Sequence, residues 1–121
     1  MSQNSRDDAG VTYEVKPDHI AVRVVEHATV DSCTTAVEEM AAITKTKPRI
    51  WYLPESLAWQ QADLIKLGEH GKSMGLKCKT AFIAQSDLVY AMARQHIVYR
   101  VDRAELLGLF RSEDEAFSWI R

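Results

Sequence analysis

A chain of 121 residues with 46% apolar and 26% charged side chains is the size and mix of one globular domain. A formal net charge of −2 argues against a general nucleic-acid binder and against electrostatic docking on an anionic membrane, short of a small local basic patch. No apolar run approaches the ~20 residues of a membrane span, so the chain is not expected to be membrane-embedded.

Residues 1–10 carry little that could be buried and no apolar signal-peptide core, so they are expected to be a disordered tail before one α/β domain over residues 11–121. Val11, Tyr13 and Val15 alternate with Thr12, Glu14 and Lys16, the period of a half-buried strand. Pro17-Asp18 turns the chain into a second strand, Ile20 to Val25, which should pair antiparallel with the first. Asp31 is placed as the cap of a helix whose inward face is Cys33, Ala36, Val37, Met40 and Ala41. Lys45 and Lys47 suit the negative end of that helix's dipole, and Pro48 stops it.

Ile50 to Leu53 is a continuous apolar run, as in a strand covered on both faces. Pro54-Glu-Ser56 should turn directly into a second helix ending near Lys72, and Gly75 resets the chain. Thr80 to Ala84 reads as another buried strand. Ser86 or Asp87 then caps a third helix with Val89, Met92, Ala93 and His96 on one side. Ile97 to Val101 has strand propensity, but the helix is read as continuing to about Arg100. Leu106 to Phe110 gives a last strand, and Ser112-Glu-Asp-Glu115 is a capping box opening a terminal helix through Ile120. The order β-β-α-β-α-β-α-β-α implies one mixed, mostly parallel sheet of about five strands with about four helices.

Chemistry-bearing motifs are sparse. Cys33 and Cys78 have no metal-ligand or CxxC spacing and are expected as free, reduced thiols of a cytoplasmic protein. His19, His27, His70 and His96 include no pair four apart and no HExxH, so no metal site is expected. Ser86-Asp87 is accounted for by helix capping, and neither a GxSxG elbow nor a glycine-rich phosphate loop occurs. No catalytic residue and no cofactor is therefore assigned. Trp59, beside the turn at Ser56, is large enough to anchor a partner. Tyr90 and Arg94 lie four apart and share a face of the third helix, near Ser86. All follow strand ends, where open parallel sheets place ligand clefts. Ser56, Trp59, Ser86, Tyr90 and Arg94 are thus the candidate binding residues.

The segments Phe82-Ile-Ala-Gln-Ser-Asp-Leu-Val-Tyr90-Ala-Met-Ala-Arg94 and Leu109-Phe-Arg-Ser-Glu-Asp-Glu-Ala-Phe-Ser-Trp-Ile120 resemble the SpoIIAA-like branch of the STAS-domain superfamily. That superfamily holds the anti-sigma-factor antagonists and the cytoplasmic domains of sulfate transporters. The resemblance implies a STAS-like fold and a non-enzymatic regulatory domain that binds a protein partner or itself, with a homodimer as one form. It also implies a phosphorylatable serine early in the helix after the third strand, where phosphate blocks docking by its charge. That place falls near Gln60, Gln61 or Ala62, none of which accepts phosphate, and Ser56 comes several residues too early. The expected form therefore lacks the phospho-serine switch. The alternative is a carrier of a small apolar or anionic, lipid-like ligand, with an apolar pocket near Trp59, Tyr90 and Met92.

Overall fold

The computed structural model describes residues 10–100 and 105–121. Nine elements follow in the expected order: β1 Val11–Val15, β2 Ile20–Val24, α1 Val30–Ile43, β3 Arg49–Tyr52, α2 Gln61–Ser73, β4 Thr80–Ile83, α3 Asp87–Val98, β5 Leu107–Phe110 and α4 Glu113–Ile120. They build one five-stranded sheet in the spatial order β1-β2-β3-β4-β5. β1 runs antiparallel to β2, Val15 opposite Ile20, and the remaining pairs are parallel.

The pleat divides the core. Trp51 and Phe82 point to one side, with Val22, Val24 and Leu107, and meet Cys33, Val37 and Met40 of α1 and Ala93 of α3. Their chain neighbours Ile50, Ala81 and Ile83 point to the other side and meet Ala116, Phe117 and Trp119 of α4. α1, α2 and α3 pack in succession against one face, while α4 packs chiefly on β4 and β5 on the other and also meets Ile50 of β3. On that second face β1 and β2 keep Glu14 and Arg23 in water, and the Arg23 guanidinium lies 4.2 Å from the centre of the Tyr52 ring. β1 thus has the single wet face its alternation implied.

Several boundaries differ from the sequence reading. Thr29, not Asp31, caps α1: its Oγ1 accepts from Ser32 N–H, while Thr29 N–H donates to Ser32 Oγ. Asp31 sits in the first turn, where its carboxylate faces the positive end of the dipole. α1 ends at Ile43 with no basic residue in its last turn, and Lys47 Nζ instead donates to the Lys16 carbonyl at 2.7 Å. α2 begins only at Gln61, not straight after the Pro54 turn, because residues 53–60 form a loop without regular structure, with a bend at Glu55. Among the strands, β2 stops at Val24, β4 at Ile83, and β5 begins at Leu107 rather than Leu106. α3 runs to Val98 with Tyr99 as its C-cap, so Ile97 and Val98 are helical; Val101 lies outside the described residues. The amino-terminal tail does too, apart from Gly10, which belongs to the fold. Gly10 is buried at φ 79°, and its carbonyl accepts from Val25 N–H at 3.0 Å.

Candidate functional site

The helix-side face of the sheet does not close completely onto its helices. A partly open cavity of about 80 Å³ remains between β2 to β5 and α1 to α3. About 10–15 Å³ of such space holds one water, and interiors seldom carry voids larger than that. The walls are built by the same alternation that makes the core: Trp51 and Phe82 from the sheet, Val37 and Met40 from α1, Leu64 and Leu67 from α2, Val89 and Met92 from α3.

The two ends of the cavity differ chemically. Beyond the carboxyl ends of the strands it is closed by Leu53, Leu57 and Trp59 of the loop before α2. Trp59 Nε1 donates to the Ala28 carbonyl at 2.9 Å, which satisfies the indole's polar atom and turns its apolar body inward. Ser86 holds the same loop from another element, donating from Oγ to the Glu55 carbonyl at 2.7 Å while accepting from Val89 N–H at the start of α3. At the amino ends of the strands the wall becomes polar, with Arg49, Thr80, His96 and Arg100 all buried there.

Arg49 opens β3 and is 1% exposed. Its Nη1 donates to the Lys47 carbonyl and to Cys78 Sγ, and its Nη2 to the Thr44 carbonyl. Burial pulls its pKa down from the ordinary guanidinium value, opposed by the neighbouring Cys78 sulfur. Its register partner on β4 is Thr80, on the same wall. Arg100 reaches this end from the far end of α3 and lies against Gly71 of α2. A Cβ on Gly71 would collide with Arg100 Nη1. The His96 ring meets Phe82 edge-on at 5.6 Å. Cys33 lines the apolar part, where burial pushes its thiol up to about 12, so it stays a neutral, hydrophobic group at neutral pH.

Of the residues singled out in the sequence, Trp59 lines the cavity and Ser86 fastens its loop. Ser56 is exposed in that loop. Tyr90 and Arg94 are not among the cavity's walls, so the expected grouping of Trp59, Tyr90 and Met92 is corrected to Trp59 and Met92. Tyr90 belongs to an outer cluster in which Arg111, not Arg94, is the closer cation. The Arg111 guanidinium lies 4.0 Å from the ring centre against 6.0 Å for Arg94, and Arg111 Nη1 also bonds Asp87 Oδ1 and the Gln85 carbonyl, each at 3.0 Å. Arg94 is exposed. Arg49 and Arg100 went unnoticed. The available signal was Arg49 itself, a charged residue heading a strand otherwise made of Ile50, Trp51 and Tyr52.

Cys33 and Cys78 are both free and buried. Among the described residues, no three His, Cys, Asp or Glu side chains are grouped to hold a metal ion, and no helix is long and apolar enough to cross a membrane. No protein-family model, curated protein or solved structure matches the chain.

Proposed function

We propose that this chain is a non-enzymatic binding protein that carries or senses a small apolar ligand held between its sheet and its helices. The observation that carries the reading is the cavity, about 80 Å³ and walled mainly by Trp, Phe, Leu, Val and Met side chains. Void space on that scale forfeits dispersion contacts along its whole lining, and an apolar occupant restores them. Water is a poor substitute, because most of the wall offers it no hydrogen-bond partner. The partner-docking role implied by the STAS-like resemblance relied on Trp59 as an anchor. That side chain is part-buried against the core with its N–H already bonded, which favours the carrier among the two readings.

Native mass spectrometry of freshly purified protein tests the proposal. A retained small molecule, or uptake of the neutral fluorescent probe N-phenyl-1-naphthylamine with quenching of Trp51 and Trp59, is the expected result. Only the 13.7 kDa chain and its multiples, with no uptake of the probe, would overturn it.

A further inference from the structure

We infer that the ligand is amphipathic and carries a carboxylate, which docks on Arg49 at the amino ends of the strands while its alkyl part fills the cavity toward Trp59. The inference rests on the carrier reading and specifies its ligand. The carrying observation is the state of the Arg49 guanidinium. It is 1% exposed and lines the cavity, and its acceptors are two backbone carbonyls and a thiol. No carboxylate of the described residues forms an ion pair with it.

A guanidinium has five N–H donors, two on each Nη and one on Nε. Both Nη1 hydrogens and one Nη2 hydrogen are used by Lys47, Cys78 and Thr44, which leaves Nε–H and the second Nη2–H without an acceptor among the described residues. A buried charge left without a counter-ion burdens the fold, and buried charges are ordinarily paired. Two carbonyls and a thiol satisfy the dipole requirement of three donors and supply no carboxylate to pair with the charge. A carboxylate supplies the charge and can accept two N–H bonds from the fork of one guanidinium. The Thr80 hydroxyl, paired in register with Arg49 on the neighbouring strand, lies on the same wall to donate to it. The opposite end offers Leu53, Leu57, Trp59 and Met92, which suit only hydrocarbon. Polarity divided in this way along one cavity matches a medium-chain fatty carboxylate end for end.

The test is displacement of N-phenyl-1-naphthylamine at neutral pH by decanoate and by decanol, which share a chain length and differ in charge. Decanoate is expected to compete better by roughly tenfold to hundredfold, the value of a charge-assisted hydrogen bond in a desolvated site. In Arg49→Met that preference should collapse to within about threefold, with decanol displacement retained. Decanol equal to or better than decanoate on the wild type would overturn the anionic end and leave the carrier standing. A persistent decanoate preference in a folded Arg49→Met protein would also overturn the assignment to Arg49. Failure of the probe and both competitors to bind would remove the carrier reading itself. If Arg49→Met does not fold, the wild-type pair decides for or against an anionic ligand, and Arg49→Lys, which keeps the charge and loses the fork, should weaken decanoate alone.

Discussion

Ser86 and Glu55 join two elements that the sequence keeps far apart: the serine that caps α3 also donates to the Glu55 carbonyl at 2.7 Å. One hydroxyl thereby fixes the start of a helix and holds the loop that brings Leu57 and Trp59 over the cavity. The bond also helps explain why residues 53–60 stay out of the helix. Their course is set from outside by Ser86 and by the Ala28 carbonyl that receives the Trp59 indole.

The two roles of Ser86 can be separated. Ser86→Ala removes both and should cost about 0.5–2 kcal/mol, the usual range for a lost helix cap. Ser86→Asp keeps a capping acceptor but cannot donate to Glu55 when ionised. It should leave global stability near wild type while amide exchange across the Pro54–Trp59 loop quickens. Unchanged loop protection in both variants would show that the bond does not hold the loop.

Gly10 makes a separate prediction about the edge of the fold. At φ 79° it has a conformation that L side chains rarely adopt, and a Cβ there would stand 2.8 Å from the Ala28 backbone. Gly10→Ala should therefore destabilise by more than about 1 kcal/mol, with strain and collision acting together. A urea midpoint equal to wild type would contradict the placement of Gly10 against the β2–α1 connection.

Alkaline conditions should weaken the fold. Burial pushes the Cys33 thiol up to about 12. Burial together with Glu113 pushes the Tyr52 phenol up to about 12, and burial with Glu39 raises that of Tyr13. In each case the folded state prefers the protonated form. The stabilisation is complete below the unfolded value, near pH 8.5 for a thiol, and is lost as pH rises through that of the folded group. By pH 10 the stabilisation lost through Cys33 alone should amount to about 1–2 kcal/mol. Urea midpoints at pH 7.5 and pH 10 should thus fall further for wild type than for Cys33→Ala. Equal losses would mean that the thiol is not buried as described.

The strands and helices were legible because their signals are periodic and local. Val11, Tyr13 and Val15 alternate, and Cys33, Ala36, Val37 and Met40 recur at helical spacing, so each segment displays its own buried face. The start of α2 was not legible, because Pro54-Glu-Ser56 has the composition of a turn and cap, whereas distant atoms on Ser86 and Ala28 determine the loop's path. The cap of α1 was misplaced by two residues for a related reason. Thr29 and Asp31 are both competent caps, and the reciprocal bonds between Thr29 and Ser32 decide between them. The cluster around Tyr90 illustrates the limit of helical spacing. It identified Arg94 as a neighbour, yet Arg111 beyond β5 arrives closer. The cavity left no local trace, since a void depends on how far α1, α2 and α3 stand from the sheet, and Arg49 gains its meaning only from that void.

Two substitutions at the cavity should act in opposite directions. Phe82 is 8% exposed and touches Trp51 at 6.1 Å and His96 at 5.6 Å between ring centres, so Phe82→Ala enlarges the void at its middle. Loss of the ring should cost about 3–5 kcal/mol. Ala93 lies on α3 facing the same space, 6% exposed, with a methyl where a larger side chain would project into the opening. Ala93→Leu adds three carbons to the lining with little loss of helix propensity. If the space is truly open, the leucine should fill it, raise stability by about 0.5–2 kcal/mol and abolish uptake of N-phenyl-1-naphthylamine. The same leucine in a closed core would overpack and cost about 1–3 kcal/mol. The sign of the change in urea midpoint for Ala93→Leu therefore reports directly on the cavity, before any ligand is known. A lower midpoint would mean that α3 already packs tightly on Phe82 and that the binding site must be sought elsewhere on the domain.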